Sequence, residues 1–464
     1  MNFRKLAEEY YDGYLKDLND LVSIESTRDS EHAAKGMPFG PAPRKALDTM
    51  LSIAERDGFD THDYEGYAGT VSYGDGEETV GILGHLDIVP LGDGWTKNPL
   101  QVTRENGYLF GRGVLDDKGP TLAAYYALKM IKDAHIPLKR KVMLIAGCDE
   151  ESGMECMDYY AKNGPIPDMG FTPDADFPVI YGEKGNIHLT LNAPAKQSVI
   201  QSFKGGLRPN IVIANAEAVV DADDFDQDLF DFYLKANDLK GKISKEEDGI
   251  HISMEGTPAH GAMPYLGNNA GVHLLHYIGL AYNDALALDL YNLMKDWKGV
   301  PVGIYKEGLH MGFLTMNPGI IEIDRDADKA YAMIDIRYPN DTTPEAVLKG
   351  FQDAVKEVES DITPVLESAG KPLFVDPNSK LVTDLMASYA KYTGDTFSPA
   401  ITIGGGTYAK KFDNFVAFGP VKLTDDRKPE CFVGGCHQRD EGIAEDDVLE
   451  AIAIYADAIV RLAS

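Results

Sequence analysis

Apolar and aromatic side chains recur at helical spacing from residue 3 to residue 24 (Leu6, Tyr10, Tyr14, Leu18, Leu21), which predicts an amphipathic surface helix. A second helix follows Pro43, with Ala46, Leu47, Met50, Leu51 and Ala54 on one face. The stretch 30–43 between them is rich in Gly, Pro and small residues and reads as a loop suited to line a cleft. Residues 71–77 read as a strand and turn. Residues 79–84 then form a short apolar run ending at His85; without polar alternation, this is a strand buried on both faces. A helix over 121–131 and further buried strands over 141–147 and 178–181 complete an alternation that indicates an α/β sheet, mixed and largely parallel.

Near residue 185 the pattern changes. Apolar and polar residues alternate over 187–192, 250–254, 320–324 and 332–337, as in strands with one face exposed, with helices predicted over 271–282 and 344–358. Helices return over 381–392 and 446–462, around a buried strand at 414–418. The predicted fold class is therefore α/β with two domains. Residues 1–184 and 379–464 form the first, and 185–378 form an inserted α+β domain.

Length supports this division, because 464 residues exceed what one ordinary core accommodates. Charge narrows the partners. With 44 basic and 74 acidic residues the formal charge is −30, which argues against nucleic acid and against anionic membranes. No run approaches the ~20 apolar residues that span a bilayer, and the first residues lack the apolar region of a signal peptide. Cys148, Cys156, Cys431 and Cys436 lack the close pairing of a structural zinc site. Reduced thiols in a cytoplasmic protein are expected.

The candidate chemistry centres on Gly111-Arg-Gly-Val-Leu-Asp-Asp-Lys-Gly119, a glycine-rich turn leading into the 121–131 helix. A turn feeding a helix N-terminus suits an anion, yet this one carries two acids, Asp116 and Asp117. One could cap the helix; two call for a cation. Gly111-x-Gly113 also mimics the start of a dinucleotide fingerprint, but the third glycine is misplaced and Asp116 would repel pyrophosphate. His85 and Asp87 form an H-x-D pair at a strand end, where residues two apart point the same way and a carboxylate can orient an imidazole. Asp149, Glu150 and Glu151 follow a buried strand, where neighbouring acids raise one another's pKa unless a cation compensates. One such acid can ligate a metal while its neighbour takes a proton from the attacking water and passes it to the leaving amine. No Gly-x-Ser-x-Gly elbow is present, which sets a nucleophilic hydrolase aside.

Taken in order, Gly-His85-Leu-Asp87, Leu-Asp116-Asp-Lys-Gly, Asp-Glu150-Glu151-Ser-Gly, Thr-Pro-Asp174 and Gly-Gly-Cys-His437 resemble a metallopeptidase superfamily. That superfamily includes glutamate carboxypeptidases, aminoacylases, succinyl-diaminopimelate desuccinylase and carnosinases. The resemblance runs over nearly the whole chain and is closest to the bacterial dipeptidase V or Xaa-His dipeptidase branch. It implies two divalent ions, with zinc expected and manganese or cobalt as alternatives. Asp116 would bridge them, commonly through a cis peptide to Asp117. His85 and Asp174 would complete one site, and Glu151 and His437 the other. Asp87 would orient His85, and Glu150 would be the general base and then the acid.

The resemblance also makes the inserted domain a lid. There His260 would donate to the tetrahedral oxyanion, and Asn210, Arg337 and Gly405 would hold the substrate's C-terminal carboxylate. Asp rather than Glu at position 174 goes with enzymes that need a free substrate amino terminus. The expected activity is thus hydrolysis of small dipeptides. An N-acyl amino acid hydrolase or a tripeptidase of the same superfamily is the alternative, and a non-catalytic metal-binding protein is a weaker one. A monomer is the expected state, with a homodimer as the alternative.

Overall fold

The computed structural model describes residues 2–423 and 427–464, which form two compact units. The first comprises 1–182, 374–401 and 406–464; the second comprises 183–373 and 402–405. The return of Thr402–Gly405 to the second unit leaves no mark in the hydrophobic pattern, which assigns everything after 379 to the first.

The first unit is built on a mixed sheet. Six of its strands run in the order Asp60–Tyr64, Ala68–Tyr73, Lys141–Gly147, Thr79–His85, Met169–Thr172 and Phe415–Ala417. The last four of these are mutually parallel, and the first two pair antiparallel at one edge. The absence of alternation in the parallel strands is explained by their burial, for Val80, Ile82, Leu83, Val142, Leu144 and Ile145 have no exposed surface. Helix Glu445–Ala463 packs against helices Phe3–Val22, Lys118–Asp133 and Lys380–Thr393. The first begins at Asn2, whose side chain accepts the Lys5 N–H, and the last at Ser379, which accepts that of Val382. Helix Lys118–Asp133 is buried on nearly every side, so its N-terminal turn is held rather than solvated. It lies against strand Thr79–His85 at Gly84, where a Cβ would collide with Thr121 Oγ1.

The second unit is an antiparallel sheet of eight strands. Their order is Lys240–Glu246, Gly249–Glu255, Asn215–Val220, Ile200–Gly205, Thr315–Asp324, Lys329–Tyr338, Gly185–Ala193 and Thr363–Gly370. Alternation in Gly249–Glu255 turns Ile250, Ile252 and Met254 into a core shared with Leu274, Leu275 and Ile278 of helix Ala270–Tyr282. No helix among the described residues is long and apolar enough to cross a membrane.

Candidate metal centre

Three neighbouring parallel strands end close together along one edge of the sheet. His85 closes Thr79–His85 opposite Gly147, the last residue of Lys141–Gly147, and Met169–Thr172 ends two residues before Asp174. The C-terminal edge of the sheet, where open α/β sheets carry their ligands, therefore presents His85, Glu150, Glu151 and Asp174 together. Ligand-type atoms of His85, Glu150 and Asp174, and likewise of His85, Asp116 and Glu151, lie within 4.8 Å of one another.

Asp116 is the hub. His85 Nε2 lies 3.1 Å from its Oδ1, and His437 Nε2 lies 3.0 Å from its Oδ2. On the first side His85 Nε2 is also 3.7 Å from Asp174 Oδ2; on the second, His437 Nε2 is 3.2 Å from Glu151 Oε2. The Asp116–Asp117 peptide bond is cis. Burial would raise the Asp116 carboxyl, but its bonds to His437 and His85 outweigh this and hold it below the usual carboxylate range. Hydrogen bonds to Asp116 and to Glu151 push His437 up to about 10. Burial pushes Glu150 and Asp174 well above the carboxylate range; His85 opposes the rise and neighbouring acids reinforce it.

Several groups hold this arrangement, and not always as the sequence suggests. The Asp87 carboxylate accepts the backbone N–H groups of Glu150 at 3.0 Å and Glu151 at 3.1 Å, so it fixes the loop that carries both acids. Toward His85 Nδ1 the nearer atom is the Asp87 main-chain oxygen at 3.0 Å, with the carboxylate Oδ1 at 3.5 Å. Asp117 accepts the His85 backbone N–H at 3.0 Å and the Thr121 hydroxyl at 2.6 Å, tying the turn to the strand end. Of the three successive acids, Asp149 is answered by Arg28 at 2.9 Å and by the Glu155 N–H, and needs no metal. Lys118 is fully buried and donates to the carbonyls of Leu21 and Ile24, anchoring the turn from beneath.

The residues fit divalent ions. Asp87, Asp116, Asp117, Glu150, Glu151 and Asp174 gather around two histidines, an excess of negative charge that burial makes costly without cations. Glu151 Oε1 is buried with no hydrogen-bond partner among the described residues, as an oxygen awaiting a cation would be. Imidazole and carboxylate oxygen are a donor set that zinc, manganese and cobalt accept.

The candidate residues of the second unit gather as well. The Asn210 carbonyl accepts the Gly261 N–H at 2.7 Å, and Ile211 bridges to His260. His260 Nδ1 accepts the Ala262 N–H at 3.1 Å, which leaves Nε2 as the protonated nitrogen. Burial and the nearby Arg337 charge lower the His260 pKa, keeping the ring neutral. Asp335, buried, pairs with Arg337 Nε at 3.0 Å, and an Arg337 terminal nitrogen donates to the Gly404 carbonyl, beside Gly405.

The sequence model of peptidase family M20/M25/M40 matches residues 81–461, which takes in His85, Asp116, Glu150, Glu151, Asp174 and His437 and the candidate residues of the second unit. The chain belongs to that family. It is a metal-dependent hydrolase acting on peptides. A Staphylococcus aureus protein provisionally named a dipeptidase is 36% identical over 476 aligned positions, covering 99% of each chain. A Staphylococcus epidermidis protein of the same provisional name is 36% identical over 469, covering 98% of each. Among solved structures, human carnosine dipeptidase 1 shares the fold with a TM-score of 0.57 at 15% identity, covering 99% of this chain and 98% of that one. Aminoacylhistidine dipeptidase from Vibrio alginolyticus does so with a TM-score of 0.54 at 14% identity, covering 96% and 95%.

Within the family frame, the sequence reading overlooked Asp117 as a backbone acceptor, Arg28 as the partner of Asp149, and Asp335 as the partner of Arg337. Asp335 was within reach, because it precedes Arg337 by two residues on a strand and so shares its face. Arg28 and Asp149 are 121 residues apart, and no local spacing links them.

Proposed function

We propose that the chain is a two-ion dipeptidase that cleaves dipeptides with a free amino terminus. The observation that carries the reading is the placement of two histidines on opposite oxygens of one buried carboxylate, each with a second acid beside it. Asp116 would be shared, His85 and Asp174 would hold one ion, and Glu151 and His437 the other, with zinc the expected metal. When bound, the ions polarise the scissile carbonyl and lower the pKa of water from 15.7 towards ~7.

The chain's own residues then divide the work. Glu150, raised by burial, takes the proton of the attacking water and returns it to the leaving amine. Asp87 holds Glu150 and Glu151 at their backbone N–H groups, so the base and its neighbouring ligand keep a fixed spacing. His260, neutral and protonated on Nε2, is suited to donate to the developing oxyanion. Arg337, with Asn210 and Gly405, would take the substrate carboxylate; the guanidinium fork matches its geometry. Asp174 in place of Glu and the dipeptidase names of the relatives support a substrate with a free amino group. Free thiols at Cys148, Cys156, Cys431 and Cys436 support a cytoplasmic setting, where we expect a monomer.

The test is a panel of dipeptides, β-alanyl-histidine included, with tripeptides and N-acetyl and N-succinyl amino acids, assayed after chelation and reloading with zinc, manganese or cobalt. Dipeptides should turn over fastest. Efficient cleavage of N-acyl amino acids with dipeptides left intact overturns the substrate assignment.

A further inference from the structure

The turn Gly111–Gly119 has the form of an anion site, and the structure supplies an anion for it from within the chain. Glu441 has no exposed surface. Its Oε1 accepts the backbone N–H groups of Gly113 at 2.9 Å, Leu115 at 3.0 Å and Asp116 at 3.2 Å. Three donors can converge on one oxygen because Gly113 adopts a φ of 91°. Oε2 pairs with Arg112, also buried, at 2.6 Å, and the Glu441 carbonyl accepts the Gly111 N–H at 3.1 Å. Glu441 lies four residues after His437, in a loop closed on itself by the Gly434 N–H to the Asp440 carbonyl and the Gly442 N–H to the Gly434 carbonyl. Asp440 pins the same loop to the backbone N–H groups of Thr96 and Lys97.

We infer that Glu441 is a positioning residue for the metal centre, locking the Asp116 turn to the His437 loop so that both oxygens of Asp116 are set before any ion arrives. This rests on the two-ion reading of the site. A shared carboxylate serves two ions only if the segments bearing the flanking histidines keep their spacing. Here strand and turn are joined by Asp117, and turn and loop by Glu441. Both Glu441 oxygens act as acceptors, so glutamine cannot replace it. With its oxygen in the nest, the amide N–H₂ confronts Arg112; with the oxygen toward Arg112, it confronts three N–H donors.

The experiment has two arms. Metal-free wild type and Glu441→Gln are titrated with zinc and with manganese by calorimetry, with Asp17→Asn, a buried substitution remote from the centre, as the control for general destabilisation. Glu441→Gln should bind at least one of the two ions roughly 10- to 100-fold more weakly, as loss of a group supporting metal ligands does, while Asp17→Asn binds both as wild type does. In the second arm, amide hydrogen exchange is followed in the metal-free wild type, which needs no variant to fold. Gly113, Leu115 and Asp116 should be protected already and gain little when metal is added. A folded Glu441→Gln protein that binds both ions with wild-type affinity overturns the inference. So do amides that exchange freely until metal is added. Neither arm uses a substrate, so failure to cleave dipeptides would strike the proposed activity and leave this result standing.

Discussion

Replacing Asp87 with asparagine separates two roles that one carboxylate could have. The side chain is buried and its two oxygens each accept one backbone N–H, from Glu150 at 3.0 Å and Glu151 at 3.1 Å. Asparagine keeps the shape but retains one acceptor, so one charge-assisted bond is lost and one N–H meets an amide donor. A hydrogen bond to a charged group contributes about 1.5–3 kcal/mol, and leaving its buried donor unpaired, a cost that overlaps with this one, brings the loss to about 2–4 kcal/mol. A net loss of about 2–4 kcal/mol, if felt in the transition state, corresponds to a roughly 30- to 1000-fold fall in rate. The His85 ring keeps its nearest partner, the Asp87 main-chain oxygen. Metal at the His85 side should therefore be retained while the base loop is displaced. Steady-state kinetics of dipeptide hydrolysis at saturating metal, with metal content and circular dichroism measured on the same sample, should show kcat/KM down about 100-fold, near the middle of that range, in a folded, metal-bearing protein. Activity within a few-fold of wild type would refute the claim that Asp87 sets the Glu150–Glu151 loop.

Glu150→Gln should lower kcat by roughly 100-fold or more, the scale of lost general-base catalysis, with both ions still bound by elemental analysis. Arg337→Ala should raise KM for dipeptides by roughly 10- to 100-fold, the worth of a charged hydrogen bond, and have little effect on the corresponding dipeptide amides. Asp17→Asn weakens the paired contacts of Arg56 to Asp17, both 2.8 Å, and the Tyr126 hydroxyl bond at 2.7 Å. Because the Arg56 side chain is 47% exposed, a loss of only about 1–3 kcal/mol is expected in urea unfolding, with kcat unchanged. Gly84→Ala drives a methyl into Thr121, the residue that holds Asp117. It should cost about 1–3 kcal/mol by overpacking and weaken metal binding, read by thermal melts with and without zinc.

Much of this was legible in the sequence because burial writes itself into periodicity. The strands over 79–85 and 141–147 lack alternation for the same reason that they are central, and the acids and histidine at their ends follow directly. Strand Gly249–Glu255 alternates because one face meets the core and the other does not. Carboxylates that act on the backbone were not legible. Asp117, Asp87 and Glu441 accept N–H groups that every residue possesses, so no partner residue type signals the contact. Glu441 and Gly113 are 328 positions apart, and only the folded chain shows that the anion-binding turn already holds an anion. Asp149 illustrates the converse: the sequence groups it with two acids whose charge a cation would compensate, and in the fold Arg28 compensates it instead.

The central claim is that Asp116 is shared between two ions. Anomalous diffraction from crystals of the protein loaded with zinc or manganese tests it most directly. Two peaks should flank Asp116, one beside His85 and Asp174 and the other beside His437 and Glu151. A single fully occupied peak at saturating metal, or peaks that leave one Asp116 oxygen without a metal neighbour, would contradict it.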